Sequence, residues 1–223
     1  MIERYPVNEL FETIQGEGIH TGVPAIFLRL QGCPVGCAWC DTKHTWDKLD
    51  QNVIALTDLL AKTNESAKWA DASTDSLLTH CLQSYSAKHL VITGGEPCLY
   101  DLRPLCEIFE SHGYSIQIET SGTYPVLASD STWVTVSPKV NMRGGLEIQT
   151  SALERANEIK HPVATENDIE QLDALLAQSS SISAQVCLQP ISQKARATQL
   201  AIDVCIARNW RLSVQTHKYL GIE

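Results

Sequence analysis

Short runs rich in Val, Ile and Leu alternate along the chain with amphipathic segments, and this alternation is the strongest constraint on the fold. The apolar runs are AIFLRL (25–30), HLVIT (89–93), SIQIE (115–119), TWVTVS (132–137), NEIKHPV (157–163), QVCLQP (185–190) and RLSVQT (211–216). Helical patterns occupy 74–86, 100–112, 149–157, 166–178 and 193–208, with Gly113 as a stop after the second. Such alternation builds βαβ units around a mainly parallel sheet. Seven strand candidates in 223 residues fall short of a full eightfold barrel, which takes ~250 residues. The expected fold class is therefore α/β: a partial, incomplete TIM-like barrel. The chain reads as a single domain over 1–223, with an insertion at about 43–73.

Polar residues gather just after these strands, as in Thr93-Gly94-Gly95-Glu96, Glu119-Thr120-Ser121-Gly122, Ser137-Pro138-Lys139, Gln189-Pro190 and Gln215-Thr216-His217-Lys218. In parallel α/β folds that C-terminal edge is where sites are built. Seventeen basic against 26 acidic residues give a net charge of −9. That balance argues against a nucleic-acid partner. A small anionic substrate remains compatible with it. No run approaches the ~18 apolar residues of a membrane span. The first residues, MIERYPVNELFET, contain Glu3, Glu9 and Glu12 and no apolar signal core. The chain is thus expected in the cytoplasm, without a membrane.

Five of the eight cysteines read as packing residues. Cys81, Cys106, Cys187 and Cys205 fall on apolar stripes or runs, and Cys98 follows a glycine-rich turn. The other three, Cys33, Cys37 and Cys40, form GCPVGCAWCDT with the spacing C-x3-C-x2-C. A disulfide strains such short loops. Zinc is the serious rival, since His44 could complete a closed Cys3His shell. The third option is a four-iron cluster on three thiolates, with one iron lacking a protein ligand. From the triad alone, zinc and iron are comparable. Its context separates them: the triad follows one strand directly, and the next strand ends in TGGEP, where paired glycines admit close backbone approach.

At these residues the chain resembles the radical S-adenosylmethionine (SAM) superfamily. LFETIQGEG, GVPAIFLRLQGCPVGCAWCDT, VITGGEP, IETSGT, VSPK, LQPISQ and NWRLSVQTHKYL together resemble the 7-carboxy-7-deazaguanine synthase (QueE) family over nearly the whole length. The resemblance implies a 4Fe-4S cluster held by Cys33, Cys37 and Cys40, with SAM chelating the fourth iron. It also implies reductive cleavage of SAM to a 5′-deoxyadenosyl radical, with orientation and exclusion of water left to the protein. The implied reaction is ring contraction of 6-carboxy-5,6,7,8-tetrahydropterin to 7-carboxy-7-deazaguanine with loss of ammonia, assisted by magnesium, towards queuosine. A homodimer and an external electron donor are implied as well.

Carried onto this sequence, the family's substrate loop matches Ile14, Gln15, Gly16 and Glu17. Glu17 is suited to the guanidinium-like N–H edge of a pterin, which a carboxylate accepts in paired hydrogen bonds. Arg29 offers a fixed bidentate cation for the substrate carboxylate. Thr93 and His217 are the further expected substrate contacts. Thr42 matches a magnesium ligand, with Asp41 beside it. For SAM the expected contacts are Trp39 at the adenine, Gly95 and Glu96 at the methionine end, and Glu119, Ser137, Pro138, Lys139, Gln189 and Pro190. Lys218 sits at the expected rim, and under this reading His44 needs no metal.

Two other classes share some of these features. A glycyl-radical activase would carry the triad and GGEP, but has no need of Glu17, Arg29 and Thr42 around a small polar pocket. A zinc-stabilised interaction module would use Cys33, Cys37, Cys40 and His44. The segment 43–73, with Trp46 and Trp69, reads as a surface insertion with one short helix around 55–61, or as a lid or docking surface for a protein partner.

Overall fold

The computed structural model describes residues 3–191 and 194–222. Its strands are β1 (Arg4–Ile14), β2 (Pro24–Leu30), β3 (Ala70–Ser73), β4 (His89–Gly94), β5 (Ser115–Thr120), β6 (Trp133–Val136), β7 (Glu158–Val163), β8 (Gln185–Pro190) and β9 (Arg211–Leu212). They form one open sheet in the order β3-β1-β2-β4-β5-β6-β7-β8-β9. From β2 through β9 every neighbour pair is parallel, and β1 runs antiparallel to both β2 and β3. The expected α/β fold, an incomplete barrel with a mainly parallel sheet, is what the chain adopts.

Three details differ from the sequence reading. β1 is a long strand that no apolar run announced, because Glu9 and Glu12 interrupt Val7, Leu10 and Phe11. β3 is only four residues and half polar, and owes its order to register against β1, where Arg4 faces Ser73 and Val7 faces Ala70. The run 211–216 keeps two strand residues and then turns into a short helix. Helices are α1 (Leu56–Leu60), α2 (Thr74–Ser84), α3 (Arg103–Ser111), α4 (Thr150–Arg155), α5 (Glu166–Leu176), α6 (Ala195–Arg208) and α7 (Thr216–Leu220). Their starts follow local chemistry. Ser73 caps α2 by accepting the Ser76 N–H at 3.2 Å, and Thr165 with Asp168 makes a capping box on α5. Gly113, at φ +78°, follows α3 in the left-handed region that glycine enters freely. The expected first residue of α6, Gln193, lies outside the described residues.

Period-two alternation sorts each central strand into two chemistries. Leu90, Ile92, Ile116 and Ile118 point outward into a core shared with Leu77, Leu105 and Phe109 of α2 and α3. Val134, Val136, Ile159, Val163 and Leu188 do the same against Leu153, Leu172 and Ala201 of α4, α5 and α6. Burying each such side chain stabilises the fold by ~1.5–3 kcal/mol. The alternate residues, His89, Gln117, Glu119, Thr135, Glu158 and Lys160, form a polar inner face. Buried polar groups need partners, and here they supply one another: His89 Nε2 meets Gln117 Oε1 at 2.9 Å, and Gln117 Nε2 donates to Glu119 Oε1 at 2.9 Å. Cys81, Cys98, Cys106, Cys187 and Cys205 are all buried.

The segment 43–73 is largely exposed or half-exposed, but it is tied into the sheet at several points. It does contain one short α-helix, α1, but it also supplies β3, and Leu59 and Trp69 are buried. Asn8 of β1, fully buried, donates to the carbonyls of Ser66 and Lys68 at 2.9 and 3.1 Å. Lys62 Nζ in turn donates to the Asn8 carbonyl at 2.8 Å. Trp69 gives its indole N–H to the Leu49 carbonyl at 3.0 Å, so it is no exposed docking residue. Among the described residues no helix is long and apolar enough to cross a membrane.

Candidate active site

β2 ends at Leu30, and the cysteine loop begins three residues later. The loop's entry is fixed by backbone bonds to the segment that follows it: Gly32 N–H donates to the Thr45 carbonyl at 2.7 Å, and Cys33 N–H to the Trp46 carbonyl at 3.0 Å. Buried Gln31 reinforces this, donating to the carbonyls of His44 and Asp47 at 3.1 and 2.8 Å while accepting from Asn8 at 2.7 Å. On the other side, Gly95 at the end of β4 packs so closely that a Cβ would lie 2.1 Å from the Gly32 carbonyl oxygen. This is what the paired glycines of TGGEP are for.

Cys33, Cys37 and Cys40 line one cavity of about 330 Å³ at the C-terminal edge of the sheet. Burial pushes the Cys33 thiol up to about 11 and raises that of Cys37 as well. Metal uptake at these thiols therefore releases protons. Among the described residues, no three His, Cys, Asp or Glu side chains gather around a single point. All three thiols open onto this one cavity. His44 does not join them. Its ring lies 3.8 Å from Glu9 and 3.8 Å from Glu65, which removes the fourth ligand that a Cys3His zinc site requires.

The same cavity is lined by Glu17, Arg29, Trp39, Asp41, Thr42, Thr93, Gly95, Glu96, Glu119, Ser137, Lys139, Gln189 and Pro190, all singled out from the sequence. Arg29 donates from Nε to Glu9 Oε2 at 2.6 Å, which orients its guanidinium and leaves the two Nη groups as further donors. Trp39 is 54% exposed at the rim and is therefore no packing residue. Thr42 Oγ1 sits 3.6 Å from Cys40 Sγ. Glu96 is buried at 1% exposure, and its carboxylate already accepts from Cys98 N–H, Thr120 Oγ1, Ser121 N–H and Ser121 Oγ.

Ile14, Gln15, Gly16, Pro138 and His217, also singled out from the sequence, are not among the residues that line the cavity. Gln15 accepts the Glu17 N–H at 3.1 Å and so shapes the loop that carries Glu17. His217 packs on Gly16, where an added Cβ would meet its Nδ1 at 2.5 Å, while Thr216 N–H donates to the Gly16 carbonyl at 2.9 Å.

Sequence reasoning missed Lys160, which organises the charged side of the cavity. Its ammonium lies 2.8 Å from Glu17 Oε2 and 2.9 Å from Glu119 Oε2. Burial alone would raise the Glu17 carboxyl, but Lys160, together with the N–H of Gln215 at 2.7 Å, holds it down at about 2. At Glu119 burial dominates, Lys160 only partly offsets it, and the neighbouring carboxylates add to it, so the group is pushed up to about 7. Lys160 itself is held charged above its ordinary value by the two carboxylates, against its burial. Its signal in the sequence was a Glu158–Lys160 pair at the alternate positions of an otherwise apolar strand.

Known proteins are similar to this chain in sequence and fold. A family model described as a 4Fe-4S single cluster domain matches residues 14–133. The 7-carboxy-7-deazaguanine synthase of Escherichia coli (strain K12) is 63% identical over 221 residues, covering 98% of this chain and 99% of that protein. The chain belongs to the 7-carboxy-7-deazaguanine synthase family. The synthase of Buchnera aphidicola subsp. Schizaphis graminum is 46% identical over 220 residues, with 98% and 99% covered. The crystal structure of QueE from Escherichia coli superposes with a TM-score of 0.93 at 62% identity, covering 95% of this chain and 94% of that one.

Proposed function

We infer that this enzyme contracts 6-carboxy-5,6,7,8-tetrahydropterin to 7-carboxy-7-deazaguanine with release of ammonia, in queuosine and 7-deazapurine biosynthesis. The reading is carried by one observation: the three thiols of the triad share a cavity with a fixed arginine and a carboxylate held ionised. Family membership makes it a radical SAM enzyme with a 4Fe-4S cluster. Bound here, the cluster and SAM supply one-electron radical chemistry that no side chain provides.

The chain's own residues bind and orient. Cys33, Cys37 and Cys40 hold the cluster. Glu17, ionised at any physiological pH, accepts the paired N–H groups of the pterin edge, and the Arg29 Nη groups take the substrate carboxylate. Thr93 flanks the substrate, while Ile14, Gln15, Gly16 and His217 act from behind by fixing the Glu17 loop. Trp39 stands at the rim for adenine. Ser137, Lys139, Gln189 and Pro190 line the SAM side, backed by Pro138. Because the Glu96 carboxylate is saturated by protein donors, the backbone of Gly94 and Gly95 serves the methionine end. Thr42, with Asp41 beside it, offers magnesium an oxygen ligand next to the cluster. Glu119, placed between the SAM and substrate sides, titrates near neutrality and can move a proton as ammonia leaves. Two chains associate as a homodimer, and an external donor supplies the electron.

Anaerobic incubation of reduced enzyme with SAM and 6-carboxytetrahydropterin tests the reading. It should yield 7-carboxy-7-deazaguanine and ammonia. Accumulation of 5′-deoxyadenosine with no deazaguanine would reject the substrate assignment, and a colourless protein holding one zinc would reject the radical chemistry.

A further inference from the structure

Trp46 lies six residues beyond Cys40, inside the segment that composition marked as peripheral, yet it lines the active-site cavity. Its indole Nε1–H points at Cys40 Sγ, 3.4 Å away. Among the described residues this is the side-chain N–H bonded to a thiol of the triad. The backbone of the same residue accepts the Cys33 N–H at 3.0 Å, so Trp46 touches both the first and the last cysteine. The backbone that carries the indole is held in place. Trp46 follows a 3-10 turn (Lys43–Thr45) in which fully buried Thr45 donates from Oγ1 to the Thr42 carbonyl at 2.8 Å.

We propose that Trp46 is a positioning residue that holds the Cys40 thiolate and, through its indole N–H, raises the reduction potential of the cluster. The inference rests on the assignment of the cluster to Cys33, Cys37 and Cys40. Reduction adds one electron to the cluster and so increases the negative charge on its sulfurs. A hydrogen bond to a ligating sulfur strengthens as that charge grows, stabilises the reduced form and makes the potential less negative. Charge assistance makes this bond stronger to a cluster thiolate than to the free thiol. The other donor near Cys40 Sγ, the Thr42 hydroxyl, is 3.6 Å away and is shared with a proposed magnesium role. The indole is thus the donor devoted to the cluster, and only one of the three cysteines receives it.

The test is a redox titration of anaerobically reconstituted, SAM-free protein, followed by the electron paramagnetic resonance signal of the reduced cluster. Wild type is compared with Trp46→Phe and with a variant carrying benzothienylalanine at position 46, which keeps the indole shape but replaces N–H by sulfur. The expected result is four irons in all three proteins and a more negative midpoint in both variants. A roughly tenfold fall in the reduction equilibrium constant corresponds to ~59 mV for one electron. An unchanged midpoint in a four-iron benzothienylalanine protein overturns the proposal. So does a shift in the phenylalanine protein alone, which would mean that bulk rather than the N–H matters. If Trp46→Phe fails to fold, the isosteric protein decides. An isosteric protein that folds but takes up no iron upholds the positioning role, since only the N–H has been removed. Wild type without iron would instead refute the cluster assignment itself.

Discussion

Lys160 Nζ lies 2.8 Å from Glu17 Oε2, joining β7 to the loop that closes the first hairpin. The same ammonium contacts both oxygens of Glu119, so one buried cation bridges two carboxyl groups. Removing it leaves the Glu17 carboxylate without its cation, whereas Glu119, already raised to about 7 beside that cation, takes up a proton. Breaking a buried pair from one side costs about 3–5 kcal/mol. Lys160→Met is expected to lose stability on that scale in urea melts, and Lys160→Met/Glu17→Gln to recover part of it. A double variant no more stable than the single one would show that Glu17 is not the stranded charge.

The two carboxyls have opposite signatures in pH. Glu119 is raised from 4.5 to about 7, so the folded state binds its proton more tightly than the unfolded chain does. Its contribution is full below pH 4.5 and is lost as pH rises through about 7. Glu17 is lowered from 4.5 to about 2, and its contribution is present above pH 4.5 and lost as pH falls towards 2. Calorimetric melts between pH 4.5 and 7 should therefore show a falling component that Glu119→Gln removes. Parallel profiles for the two proteins would count against this assignment.

Much of this architecture was readable from the sequence, and the exceptions have physical reasons. The six central strands announce themselves because both their faces are covered, so Leu90, Ile92, Ile118 and Val136 leave apolar runs. β1 and β3 border the polar inner face or the sheet edge and carry charges that mask their pairing. The cavity residues following strands were legible because the C-terminal edge of a parallel sheet collects them. Lys160 was not, because it sits within a strand and acquires its partners only when β5 and the Glu17 loop close over it. Trp46 and Trp69 looked like surface residues in a polar stretch. Their N–H partners, Cys40 Sγ and the Leu49 carbonyl, exist only in the folded chain.

Glu96 illustrates a motif residue whose work is structural as well as local. Its carboxylate accepts four hydrogen bonds from the ends of β4 and β5 at 1% exposure. Glu96→Gln places an amide N–H₂ against groups that are themselves donors. Hydrogen bonds to a charged group are worth about 1.5–3 kcal/mol each, so a loss of about 2–4 kcal/mol is expected in denaturant melts. SAM affinity measured in the surviving folded fraction should fall less than stability, because the backbone of Gly94 and Gly95 remains. A variant with wild-type stability and abolished SAM binding would instead place the carboxylate itself on the ligand.

Gly144 makes the final case, since no motif marked it. Its N–H donates to the Val35 carbonyl at 2.9 Å, bracing the loop between Cys33 and Cys37 from outside. An added Cβ would lie 2.0 Å from the Pro34 carbonyl oxygen and 2.8 Å from that of Val35. Both contacts are backbone, so the cysteine loop must shift rather than a side chain rotate. Gly144→Ala should therefore lower iron per protein after anaerobic reconstitution while leaving the two outer cores, and hence the far-ultraviolet circular dichroism, intact. The neighbouring Gly145→Ala separates crowding from backbone strain. That residue has φ +67° and open space around its Cβ, so it costs ~1–2 kcal/mol from the left-handed conformation alone and should keep its iron. Equal iron in the two variants would show that the brace does not set the cysteine geometry.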